Sequence, residues 1–291
     1  MQKPTIPPGY KTQAEDTTPE AEIILYQMLR NLPQERRVQQ MMTLNKQLRA
    51  IFWENFGKKY STLTQRARKL ELIKLELGET FCQIDRLVEK DFMLETPIEL
   101  AAAIAKILEE LNIPYFVGGG LASSILGEVR TTIDADLAIL LEETDASQLI
   151  EKMQSDFYIS ETAVEDALRY RTNTFNVIHL TSALKADIYL IRGDDNFRKT
   201  ALTRRTKVFP TDSPSLSFYI CSAEDIILQK LTWYCIARNK SDKQWRDILG
   251  VLKLQGYRLD FDYLKYWSAE LKVTEECDRA LTESGLSNPS S

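Results

Sequence analysis

Hydrophobic positions in the first third of the chain recur at three- and four-residue intervals. Leu25, Met28, Leu29 and Leu32 form one stripe, and Pro33 ends that helix or opens the next. Val38, Met41, Leu44, Leu48, Ile51 and Phe52 form a second. Leu63, Ala67, Leu70, Ile73 and Leu77 form a third, which stops at Gly78. A fourth uses Phe81, Ile84, Leu87 and Val88. This spacing predicts a small α-helical module over residues 21–90. Residues 1–20, rich in Pro, Thr, Gln and charge, read as a disordered lead-in.

The texture changes after a boundary near Asp91–Glu95. Thr96-Pro97-Ile98-Glu99 reads as a helix start, with Thr96 as cap, Pro97 at the first helical position and Glu99 closing a capping box. Ala101, Ile104, Ala105, Leu108 and Leu111 share one face of that helix, and Pro114 leads out of it. A strand at Tyr115–Val117, a turn at Gly118-Gly119-Gly120, a short helix at Leu121–Leu126, a strand at Asp134–Leu141 and a helix near Ala146–Met153 follow. Further strands are predicted near Leu168–Arg171, Phe175–Leu180 and Lys185–Ile191. From Ser222 the helical period returns through Ile226, Ile227 and Leu231, then Trp245, Ile248, Leu249 and Leu252, then Tyr263, Leu264 and Trp267. The pattern predicts an α+β protein: a mixed sheet flanked by helices over residues 97–215, a helical C-terminal subdomain over 216–285, and a separate N-terminal helical module.

Composition narrows the class. The chain has 291 residues, 44% hydrophobic and 27% charged, which excludes wholesale disorder and collagen-like repeats. No apolar run reaches the ~18 residues that span a bilayer, and the first ten residues lack the apolar core of a signal peptide. Cys82, Cys221, Cys235 and Cys277 form no close pair, so neither a zinc knuckle nor a disulfide framework is suggested. The expectation is a soluble cytoplasmic protein with no membrane partner. The net charge of −5 hides an asymmetry, because Arg30 to Lys74 holds 11 basic and 3 acidic residues. A basic front piece thus precedes an acidic body, either as solvated amphipathic helices or as a surface for RNA or a protein partner.

A single histidine, His179, restricts the chemistry. Serine- or cysteine-nucleophile mechanisms with a histidine base would have to use it, no nucleophile motif accompanies it, and its apolar neighbours make it a structural residue. Carboxylates are the better carriers. In Tyr115 to Leu141, YFVGGGLASSILGEVRTTIDADLAILL, a strand runs into three glycines, a helix begins at once, and Asp134-Ala135-Asp136 heads the next strand. Strand alternation puts Asp134 and Asp136 on one face, about 7 Å apart. Two such acids repel unless a cation lies between them, and oxygen ligands favour Mg²⁺ or Mn²⁺. An isolated triple glycine is an ordinary tight turn. Ahead of Asp-x-Asp, Gly118, Gly119 and Gly120 read as a turn whose backbone N–H groups approach a phosphate at a helix N-terminus. Asp187, alternating with Ala186 and Ile188, supplies a third carboxylate. Three such groups on neighbouring strands can bridge two ions ~4 Å apart. Phosphate beside metal is what a nucleoside triphosphate needs.

These residues resemble the nucleotidyltransferase superfamily, with its polymerase-β-like fold: a glycine pair, a short helix, Asp-x-Asp, and a later single Asp on another strand. Gly119-Gly120 is followed by 13 residues and then Asp134-Ala135-Asp136. GGGLASSILGEVRTTIDADL looks especially like the bacterial group that includes the abortive-infection AbiEii-type toxins. The resemblance covers residues 97–270. It implies transfer of a nucleoside monophosphate from an NTP to a hydroxyl of RNA (tRNA among the candidates), a protein or a small molecule, with Mg²⁺ or Mn²⁺ and a toxin–antitoxin setting. Asp134, Asp136 and Asp187 would be catalytic and metal-binding, and Gly118, Gly119, Gly120, Arg130 and Lys230 nucleotide-binding. Arg130 would position the loop or the phosphates. Lys230, in SAEDIILQKLTWY, would face the nucleotide, where its local setting alone equally suits a lysine stem lying along a core edge. Asp247 matches a second motif aspartate, whereas the Lys-Asp expected before it is not cleanly kept. The basic run from Arg198 to Lys207 reads as a solvated loop or as a contact to triphosphate or an RNA acceptor. The rival reading is a regulatory or antitoxin-like binding module that keeps this fold with little turnover.

Overall fold

The computed structural model describes residues 4–77, 94–210 and 216–286. The fourth predicted helical stripe, Gly78 and most of the proposed boundary at 91–95 lie outside those residues. The first three stripes form α1 (Pro19–Asn31), α2 (Gln34–Lys59) and α3 (Gln65–Leu77). Thr18 caps α1 and Pro33 stands just ahead of α2, so the proline opens the second helix.

The predicted capping box starts α4 (Pro97–Glu110): the Glu99 N–H donates to Thr96 Oγ1 at 3.2 Å and the Thr96 N–H donates to Glu99 Oε2 at 3.0 Å. Next come β1 (Tyr115–Val117), α5 (Gly119–Leu126), β2 (Ala135–Ile139) and α6 (Glu143–Met153). They are followed by β3 (Phe157–Ile159), α7 (Glu161–Leu168), β4 (Thr174–His179), β5 (Lys185–Leu190) and α8 (Asn196–Arg204). The remainder is β6 (Thr206–Val208), β7 (Phe218–Ile220), α9 (Ala223–Ile236), α10 (Asp242–Gln255), α11 (Phe261–Glu270) and α12 (Thr274–Glu283). Among the described residues the strands form one mixed sheet in the order β3-β4-β5-β2-β1-β7-β6. The β2–β5 and β1–β7 pairs are parallel and the rest antiparallel. This is the expected α+β class, a mixed sheet flanked by helices. Among the described residues no helix is long and apolar enough to cross a membrane.

Alternation along the central strands assigns the two faces. Ala135, Leu137, Ile139, Ala186, Ile188 and Leu190 pack with α4, α6 and α7 in one core. Phe116 and Ala138 point the other way, into a second core built by α8–α12. The same parity turns Asp136, Asp187 and Tyr189 to that second face.

Three local readings differ from the structure. Leu168–Arg171 is not a strand: Leu168 ends α7, whose Ser160 cap accepts from the Ala163 N–H at 3.2 Å, and Tyr170 turns the chain at φ +63°. A four-residue run cannot separate a helix end from a strand by periodicity. The basic run at 198–207 is not a loop but α8 and β6, with Asp195 Oδ1 accepting from the Arg198 N–H at 2.9 Å as cap. Asp134, expected in the strand, stands one residue ahead of β2.

Residues 4–18, whose composition reads as a disordered lead-in, run along the C-terminal helices. The Lys11 N–H donates to the Glu283 carbonyl at 3.0 Å, and the Lys253 ammonium donates to the Lys11 carbonyl at 2.5 Å. Lys253 and Glu22 form a buried ion pair at 2.6 Å that joins α10 to α1. Burial works to raise the Glu22 carboxyl, but hydrogen bonds from Lys253, Tyr10 and Gln13 outweigh it and hold it below the usual range. Further along, α2 packs on α5, and Asn45 Oδ1 accepts from the Thr132 N–H at 3.2 Å. The N-terminal helices therefore lean on the loop that carries Asp134.

Candidate active site

Asp136 lies in β2 and Asp187 in β5, and the parallel register makes them direct neighbours, Asp136 beside Asp187. Both open onto a cavity of about 710 Å³, within the range that holds a nucleotide-sized ligand. Asp134 lies on its wall, as do Gly118, Gly119, Gly120, Arg130 and Lys230, so the structure brings together every site residue expected from the sequence.

The glycine turn is fixed by Asp136 itself. The Gly118 N–H donates to the Asp136 carbonyl at 2.9 Å, and the Gly120 N–H donates to Asp136 Oδ2 at 3.2 Å. Gly119 sits at φ +54°, and a Cβ placed there would run into the Asp136 carboxylate. The helix starts one residue into the glycines, at Gly119 rather than Leu121. Its N-terminal dipole faces the cavity, with one first-turn N–H already spent on the aspartate. Burial raises the Asp136 carboxyl above the ordinary aspartate range, the negative charge of Asp187 adds to that, and the Gly120 hydrogen bond opposes it.

Arg130 and Lys230 meet on Asp247 of α10. Arg130 binds it in a two-point fork, Nε to Oδ1 and Nη2 to Oδ2, both at 2.6 Å. Lys230 Nζ lies 2.7 Å from the same Oδ2 and 3.0 Å from Gln244 Oε1, and the Ser123 hydroxyl donates to Asp247 Oδ2 at 3.3 Å. Lys230 and Asp247 are both buried. Burial alone would raise Asp247, yet the Arg130 hydrogen bonds and the Lys230 charge hold it below its ordinary value. Burial lowers Lys230, against the pull of Asp247. Lys230 is thus a packed helix residue and a cavity-wall residue at once, and its charge is shared with Asp247.

Three contributors were not singled out from the sequence. Lys185 places its ammonium 3.4 Å from Asp187 Oδ1 and 3.9 Å from Asp134 Oδ2. The period-two spacing of Lys185-Ala186-Asp187 was the available signal. Gln229 lines the cavity with a buried Nε2 that has no hydrogen-bond partner among the described residues. Trp233, one turn further along α9, adds an aromatic wall. Neither carries a recognisable sequence signal beyond helical spacing. His179 is buried and structural: its Nδ1 accepts the Ser182 N–H at 3.3 Å and lies 2.8 Å from the Ser182 hydroxyl.

Among the described residues no three acidic, histidine or cysteine side chains converge on a point that could hold an ion as they stand. The donor chemistry nonetheless fits a hard divalent cation. Asp136 and Asp187 offer only oxygens from adjacent backbone positions, and the raised Asp136 carboxyl is the electrostatic cost a cation would relieve. Asp134 lies on the same cavity wall with its side chain 39% exposed.

No family model and no curated protein matches the chain. Several solved structures align with it. An antigenic nucleotidyltransferase-like protein from Paracoccidioides brasiliensis is 18% identical over 65% of this chain and 92% of its own, with a TM-score of 0.44. ANT(2")-Ia in complex with adenylyl-2"-tobramycin is 15% identical over 60% of this chain and 96% of its own, with a TM-score of 0.41. The CCA-adding enzyme in complex with ATP is 13% identical over 63% of this chain and 49% of its own, with a TM-score of 0.27.

Proposed function

We propose that the chain is a metal-dependent nucleotidyltransferase of the polymerase-β-like kind, moving a nucleoside monophosphate from an NTP to an acceptor hydroxyl with release of pyrophosphate. The observation that carries this reading is the Asp136–Asp187 pairing across two parallel strands, facing a cavity whose wall includes a glycine turn at a helix N-terminus. Asp136 and Asp187, with Asp134, would hold Mg²⁺ or Mn²⁺. Such an ion, when bound, neutralises charge on the phosphates and on the attacking oxygen. The chain's own groups do the rest. The glycine turn and the α5 dipole bind the phosphate tail. Arg130 and Lys230, fixed by Asp247, set a positive wall that orients it. Asp187, whose side chain is 35% exposed, would accept the proton of the incoming hydroxyl.

Arg198 and Lys243 on the same cavity wall suit a polyanionic acceptor, so we place RNA, with tRNA included, ahead of protein or small-molecule hydroxyls. The toxin–antitoxin setting is the biological context in which the AbiEii-type resemblance would put that activity. Incubating the protein with Mg²⁺, each α-³²P-labelled NTP and total cellular RNA tests this directly. Label should enter RNA with the wild type and vanish with Asp136→Asn and with Asp187→Asn. Equal labelling by wild type and both variants would overturn the reading. One observation favours a second reading, a nucleotide-binding module with little turnover: the Lys185 ammonium lies among the carboxylates. NTP binding by calorimetry without any transferred label would favour it.

A further inference from the structure

Lys185 sets its ammonium against two of the three aspartates. The register that sets Ala135 beside Ala186 brings Lys185 level with Asp134, two residues along the strands from the Asp136–Asp187 pair. Its ammonium is within 4 Å of both Asp134 and Asp187, and its side chain keeps 22% exposure at the end of a flexible four-carbon stem. Part of that side chain already meets solvent. A cation in this position offsets negative charge on the two carboxylates and repels a second cation that approaches them.

Resting on the carboxylate reading above, we propose that Lys185 is a resident counter-cation that competes with the divalent ion for Asp134 and Asp187. The free protein then binds the ion weakly. Entry of a triphosphate reverses the preference, because its negative charge draws the ammonium off the aspartates and leaves their oxygens to the incoming ion. Lys185 acts here as a positioning residue for the acids, and the ion arrives with the nucleotide instead of before it.

The test is Mn²⁺ binding to the full-length protein, read from the electron paramagnetic resonance of free Mn²⁺, first without nucleotide. Lys185→Met should bind Mn²⁺ at least about tenfold tighter than wild type. A non-hydrolysable NTP analogue should narrow that gap by tightening the wild type. Lys185→Gln serves as a second variant, and thermal unfolding establishes that each is folded. Removing a lysine of purely structural value would not tighten ion binding, so equal or weaker Mn²⁺ affinity in a folded variant overturns the inference alone. If neither the wild type nor the folded variants take up Mn²⁺ with or without the analogue, this inference and the carboxylate reading fall together.

Discussion

Asp136 and Asp187 stand side by side on two parallel strands, and the same Asp136 carboxylate accepts the Gly120 N–H at the head of α5. One side chain thus ties the proposed metal-binding acids to the proposed phosphate turn. Its carboxyl is raised by burial and by the neighbouring charge, so ionising it costs the folded state free energy. That penalty is absent at pH below the ordinary aspartate range, grows as pH rises through it, and is complete above the raised value. Asp136→Asn should therefore stabilise the fold at neutral pH by roughly 0.5–2 kcal/mol while abolishing transfer. Urea unfolding at several pH values checks it. A gain that shrinks with rising pH would contradict the assignment.

Asp247 should behave in the opposite way. Its lowered carboxyl means a stabilising contribution present above the ordinary aspartate range and lost as pH falls toward its folded value. Asp247→Asn leaves Arg130 and Lys230 facing each other in a buried wall. A loss of about 3–5 kcal/mol is expected at neutral pH, and less in acid. Arg130→Lys keeps the charge but loses the two-point fork, so a smaller loss is expected. Chemical denaturation of both variants at neutral and acidic pH measures this.

The three glycines should differ sharply. Gly119→Ala meets both a positive φ and the Asp136 carboxylate, and should cost more than about 2 kcal/mol together with nucleotide binding. Gly120→Ala brings its Cβ 2.7 Å from Thr132 Oγ1 and should be intermediate. Gly118→Ala meets the flexible end of Gln229 at 3.3 Å and should be the mildest. Melting temperatures and NTP affinities of the three variants, ranked together, decide the matter.

The N-terminal strap has a separate signature. Glu22→Gln leaves Lys253 buried without its carboxylate, with an expected loss of about 3–5 kcal/mol. The double variant Glu22→Leu/Lys253→Met should lose far less than the two single changes added together. Additive losses would mean that the pair does not act as a unit.

Much of this site was legible because it is local in sequence. Gly118–Gly120 and Asp134-Ala135-Asp136 lie within one strand-helix-strand passage, and period-two alternation alone puts Asp187 on the face it occupies. The capping box of α4 was equally local. What escaped was long-range. That Asp247 binds both Arg130 and Lys230 depends on α10 docking against α5 and α9, and no spacing within a single element encodes it. The ordering of residues 4–18 likewise depends on Glu283 and Lys253, hundreds of positions away. Short segments escaped as well: the three-residue strands β3 and β6 are too brief for a period to register, and they lack the proline before and glycine turn after that marked the equally short β1.

The central claim is that the Asp136–Asp187 pair serves transfer of the α-phosphoryl-bearing nucleotide, and parallel reactions with α-³²P- and γ-³²P-labelled NTP test it most directly. Acceptor should be labelled from the α position only, with γ label recovered as pyrophosphate, and neither result should appear with Asp187→Asn. Acceptor labelled from the γ position, or α labelling undiminished in Asp187→Asn, would contradict it.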